Sequence, residues 1–210
     1  MQLNNFWFDI GSMVVSFIFG GLFVFVTKIS KYLKNEKFVT KLDGIEYVKE
    51  TSRINEILSE LRIVNDCNRV SLYQFHNGGH FLDGSSILKV SITHESCDIL
   101  TIPTIKNYQD EILSRFNSLM QLLHKNNTNI QYVSEMQASM CRYLMESKGV
   151  EIFALIPLYS SDGLNMVGFI SAEWTDIDMK VDNALLQKQS METQRLLQIF
   201  LNTSNKKGKK

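Results

Sequence analysis

The chain is poor in the residues that advertise chemistry. It has three cysteines in 210 residues, Cys67, Cys97 and Cys141, with no CxxC spacing. That excludes a zinc ribbon and a thioredoxin-like redox motif. An odd, sparse count also argues against a disulfide framework; it fits reduced thiols in a cytoplasmic domain and leaves one bridge with a spare thiol open. Charge of either sign is not in excess: 22 basic side chains offset 22 acidic ones. No basic stripe is present, so nucleic acid is not an expected partner. There is no G-x-S-x-G, no Walker loop and no H-E-x-x-H. His94-Glu95-Ser96 sets three reactive types in a row, but neighbouring strand residues point to opposite faces and cannot form a triad by adjacency. The chain is therefore read as non-enzymatic. No repeat and no long low-complexity segment occurs.

The most conspicuous feature present is apolar. Ile10 to Val26 reads IGSMVVSFIFGGLFVFV, without charge or proline. Its length falls at the short end of the roughly 17–25 residues that span a bilayer. Trp7 precedes it at a position suited to the headgroup interface. A cleaved signal peptide would carry a basic leader and a small-residue cleavage site, and neither is found. Lys28, Lys31, Lys34, Lys37 and Lys41 follow the run. The positive-inside rule then places the N-terminus outside and the rest in the cytoplasm. The expectation is a single-pass anchor in the inner (cytoplasmic) membrane over residues 1–27, with the lipid bilayer as a partner. Ser12, Ser16 and Gly20 recur every fourth residue and form a face for close packing of two such helices.

Beyond the anchor, residues 28–44 read as a basic juxtamembrane segment leading into a helix. Leu42, Ile45, Val48, Ile54, Ile57, Leu58 and Leu61 follow helical spacing, predicting an amphipathic helix over about 39–64, with an interruption near Gly44. Arg69–Phe75 reads as a strand, His76–Gly84 as a glycine-rich turn and Ser86–His94 as the returning strand. A helix over 107–125, a short strand over 129–133 and a helix over 134–147 follow. Val150–Leu158 and Asn165–Trp174, joined through Asp162-Gly163, form a clear hairpin. A closing helix over 182–201 and a disordered basic tail over 204–210 complete the chain. Hairpin-joined strands imply an antiparallel sheet, and long helices at both ends imply an α+β, two-layer domain over 45–203.

The stretch HNGGH is unusual. Gly78 and Gly79 permit a tight turn with accessible backbone N–H groups. His76, Asn77, Gly78, Gly79, His80, Asp83, Ser85 and Ser86 are the expected ligand-binding set. His76, His80 and His94 could converge on a metal, but no acidic or cysteine ligand sits at a recognised spacing, so none is expected. Glu173 admits two readings, a buried carboxylate or an exposed strand-end residue, and the second is preferred.

NRVSLYQFHNGG (Asn68–Gly79) resembles the first core strand of the GAF domain family. GVEIFALIPLYSSDGLNMVGFISAEW (Gly149–Trp174) resembles its later hairpin, with Pro157, Leu158 and Gly168 at the matching places. The likeness spans about residues 45–201. It implies a sensory or regulatory domain. Such domains bind cyclic nucleotides, tetrapyrroles or other small molecules over the sheet, or serve as dimer modules, commonly through their terminal helices. A homodimer and a small-molecule ligand are thus expected partners. No cysteine arrangement matches chromophore attachment, and no cofactor is identified. A single span before one α/β domain also resembles the class III holins of large lytic phages, through Pro157–Trp174. That alternative, a phage lysis protein, would place the domain outside.

Overall fold

The computed structural model describes residues 41–207 apart from 81–83, 85, 125–129 and 161. The described residues from Val48 onward form one compact unit. The apolar run at 10–26, with Ser12, Ser16 and Gly20, lies outside the described residues. Among the described residues no helix is long and apolar enough to cross a membrane.

Helix α1 (Lys41–Val64) runs without a break through Gly44. Strand β1 (Arg69–His80) and β2 (Ser86–Cys97) form a long hairpin. A two-residue edge strand, β3 (Glu111–Ile112), leads into a 3-10 turn at Leu113–Phe116 and α2 (Asn117–His124). Strand β4 (Ile130–Tyr132) precedes another 3-10 turn, Val133–Glu135, and α3 (Met140–Ser147). The hairpin of β5 (Ile152–Tyr159) and β6 (Met166–Trp174) stands where the sequence placed it. Helix α4 (Asn183–Lys207) closes the chain, reaching into the stretch expected to be a tail.

The six strands form one antiparallel sheet in the order β3-β2-β1-β6-β5-β4. Alternation along each strand sorts side chains between two faces. Val70, Leu72, Ile152, Ala154, Ile156, Ile170, Ala172 and Trp174 pack on one face against Ile57, Leu58 and Leu61 of α1 and Leu186 and Leu197 of α4. Fully burying such a side chain contributes about 1.5–3 kcal/mol. This helix-covered face agrees with the expected α+β arrangement.

Three expectations are corrected. The domain has more than two layers, because the second face is also covered: Tyr73, Val90, Ile92, Phe153 and Phe169 pack against Phe116, Leu119, Leu123, Cys141, Leu144 and Met145. The helix expected over 107–125 is shorter, since Lys89 and Val90 at the open side of β2 pair with Ile112 and Glu111 and draw that segment into the sheet. The helix expected over 134–147 starts only at Met140, where the Ser139 hydroxyl accepts the Arg142 N–H and caps it.

Gly168 is required by the pairing of β6 with β1. A Cβ there would lie 2.1 Å from the Tyr73 carbonyl oxygen.

Candidate functional site

The HNGGH stretch is strand, not turn. Strand β1 continues to His80, which pairs with Ser86 of β2. Its glycines serve a β-bulge. Register slips between Asn77 and His80, Gly79 takes φ +99°, and its N–H donates to the Asn77 side-chain oxygen at 2.9 Å. Gly78 lies so close to β2 that a Cβ would meet Lys89 Cγ at 2.8 Å. The close backbone approach explains the glycine without any ligand.

The histidines do not converge. His80 stands opposite Ser86, His76 opposite Lys89 and His94 opposite Leu72, strung along the hairpin. Burial holds the His94 imidazole below its ordinary pKa. Among the described residues, no group of three or more His, Cys, Asp or Glu is arranged to hold a metal. His76 Nε2 lies 2.9 Å from Ser91 Oγ and 3.8 Å from Asp110 Oδ1. Both contacts use the same ring nitrogen, so they do not make a Ser-His-Asp relay, which needs the carboxylate on the other nitrogen. Ser91 Oγ also accepts the Asp110 N–H at 2.8 Å and ties down the chain entering β3.

Of the expected ligand set, Ser86 lines a cavity. It encloses about 260 Å³ between Ser86, Ile87 and Leu88 of β2, Ile112 of β3, Leu113 and Ser114, and Asn117 and Met120 of α2. The lining carries hydroxyl and amide groups but no charge. Asp83 and Ser85 lie outside the described residues.

A second site went unseen in the sequence. Strand alternation places Arg69, Ser71 and Tyr73 of β1 beside Ser171 and Glu173 of β6, on the face away from α1 and α4. A bulge at Leu72/Tyr73 shifts the phase of β2, so Glu95 joins them opposite Ser71, while Ser96 turns to Ser59 and Arg62 of α1. Glu173 is 0% exposed, correcting the expectation of an exposed strand-end residue. Its carboxylate accepts from Arg69 Nε at 2.7 Å, Arg69 Nη2 at 2.6 Å and Ser171 Oγ at 2.8 Å, and pairs with Lys148 Nζ. Lys148 also donates to the Tyr73 hydroxyl at 3.2 Å. Glu95 accepts from Ser71 Oγ, from Thr104 N–H and Oγ, and from the Ile105 N–H.

Two cations thus face two carboxylates, and every oxygen of the two carboxylates finds donors. Burial pushes the Glu173 carboxyl up, but Lys148 and Arg69 outweigh it and its pKa ends below the usual value. Burial pulls the Lys148 ammonium down. Burial, with Glu173 nearby, pushes the Tyr73 phenol well up. With the Lys148 and Glu173 side chains 1% and 0% exposed, no substrate reaches them. The cluster joins β1, β2, β6, the end of α3 and the segment 102–105. Its sequence signal was weak: an Arg beginning and a Glu ending otherwise apolar strands, far apart along the chain.

No family model matches the sequence, and no curated protein does. Solved structures do resemble the fold. The phycocyanobilin-bound GAF domain from a cyanobacterial phytochrome shares 16% identity over 77% of this chain and 88% of that one, at a TM-score of 0.55. The phycoerythrobilin-bound GAF domain from a cyanobacterial phytochrome gives 15%, 76%, 94% and 0.52. The blue-light-absorbing PixJ GAF domain of Thermosynechococcus elongatus gives 13%, 79%, 96% and 0.51. The fold of this chain is GAF-like.

Proposed function

We infer that the chain is a non-enzymatic sensory module of GAF-like fold that takes a small molecule in the cavity beside Ser86. The cavity carries this reading: it is a concave, mostly apolar recess with a few hydrogen-bonding groups, the usual make-up of a ligand site. At about 260 Å³ it is smaller than the roughly 300–1,000 Å³ of pockets for drug-sized ligands. A linear tetrapyrrole like those in the similar structures is too large for it. The thiol chemistry is equally unsuited to bilin attachment: burial raises Cys141 to about 12 and Cys97 to about 11. A compact, uncharged ligand fits the lining.

The anchor at 10–26 is proposed to hold this module at the inner membrane as a homodimer, with the domain on the cytoplasmic side. The supports are the charge-free run, the lysines after it and the Ser12, Ser16 and Gly20 face.

The test is ligand-observed NMR on the full chain in detergent micelles. The panel holds small neutral metabolites, cyclic nucleotides and phycocyanobilin. The expected result is binding of a small neutral compound that Met120→Trp abolishes by filling the recess. Binding unaffected by Met120→Trp, or confined to phycocyanobilin, would overturn the assignment.

A further inference from the structure

One end of the domain presents aliphatic side chains to solvent in a fixed frame. Ile99, Leu100 and Ile102 are 99%, 90% and 80% exposed. Ile63 at the end of α1 and Ile177 after β6 are exposed on neighbouring segments. Asn68 fastens the three segments together. Its amide donates to Asp98 Oδ2 at 2.7 Å, its carbonyl accepts the Asp98 N–H at 2.8 Å, and its side-chain oxygen accepts the Thr175 N–H at 2.8 Å.

The loop itself is pinned from below. Asp98 accepts the N–H groups of Leu100 and Thr101. Arg69 of the buried cluster donates to the Ile102 carbonyl at 3.1 Å, and Glu95 holds Thr104 and Ile105. Ordering three aliphatics in water has no benefit to the isolated domain. It lowers the entropy lost when another surface covers them.

Charge selects the kind of surface. Segments 62–68, 98–104 and 175–180 carry Asp66, Asp98, Asp176 and Asp178 against Arg62 and Lys180, Arg69 being buried in the cluster below. An acidic rim repels anionic lipid, and the tip lacks the exposed Trp and Tyr that suit a bilayer interface. Two copies meeting tip to tip would set one acidic rim against the other. We propose that this end is the docking surface for a protein partner presenting an apolar recess rimmed by Lys and Arg.

The test places a photo-crosslinking amino acid at Leu100 of the full chain in its native cells, with Leu164, an exposed leucine in the β5–β6 turn, as the control. The expected result is a discrete protein adduct from Leu100 and not from Leu164, mapped to an apolar surface of the partner with basic neighbours. Asp66→Asn, Asp176→Asn and Asp178→Asn together keep the shape and remove three rim charges. They should cut the adduct about tenfold while thermal unfolding stays unchanged. An adduct only of lipid, or of two copies of this chain, would overturn the proposal. So would equal yield from Leu164, no adduct, or an adduct indifferent to the three substitutions.

Discussion

Replacing Glu173 by glutamine tests the buried cluster most directly. The substitution keeps the shape and removes one charge. Arg69 and Lys148 then share Glu95 alone, and Glu95 Oε1 stands 3.9 Å from Arg69 Nε, against 2.6 Å for the lost contact from Arg69 Nη2. Removing one partner of a buried ion pair costs about 3–5 kcal/mol, because the remaining charge stays desolvated. A domain of this size has about 5–15 kcal/mol in all, so Glu173→Gln should unfold at far lower urea. Adding Lys148→Met restores the balance of one cation to one carboxylate. The double variant should then be less destabilised than the sum of the singles, by about 0.5–3 kcal/mol. The acid limb gives an independent check. The folded pKa of Glu173 lies below its unfolded value near 4.5. Its contribution is therefore complete above that value and is lost as pH falls through the depressed folded pKa. Glu173→Gln should flatten that limb. Urea melts followed by circular dichroism measure both. A single-variant cost under about 1 kcal/mol, or strict additivity, would refute the claim that these charges act as one unit.

Gly168→Ala should destabilise by about 1–3 kcal/mol or more, because its methyl would strike the rigid Tyr73 carbonyl; thermal unfolding reads it. In the native protein at pH 8, iodoacetamide should modify half-buried Cys97 before Cys141, and buried Cys67, whose pKa burial pushes further up, should resist until denaturant is added; peptide mapping gives the order. A topology reporter fused after Lys210 should be active only in the cytoplasm; activity confined to the outer compartment would reverse the proposed orientation and favour the lysis alternative.

The elements that were legible in the sequence are those whose signal is local. The β5–β6 hairpin announces itself by two β-rich runs around an Asp-Gly turn. Helices α1 and α4 are visible in the spacing of residues such as Leu58, Leu61, Leu186 and Leu197. The region between β2 and β4 is misread because apolar spacing alone does not distinguish one long helix from a short edge strand, a 3-10 turn and an eight-residue helix. HNGGH looked like a turn because glycine pairs usually mark one, whereas here they admit a bulge and a close approach between strands.

By itself, then, the sequence determined the antiparallel α+β arrangement, since alternation and helical spacing fix which face of each element must leave water. Tertiary structure alone decided the buried charge cluster. Arg69, Lys148 and Glu173 are separated by 79 and 25 residues, and no local rule brings them together. Only the pairing of β1 with β6 sets Arg69 beside Glu173, and only the bulge in the β1–β2 ladder turns Glu95 toward the same face. In that dry environment an ion has no water to fall back on, so the fold must supply its partners. It supplies them from β1, β2, β6 and the end of α3, and through Arg69 and Glu95 it also fixes the loop that holds Ile102 out to solvent.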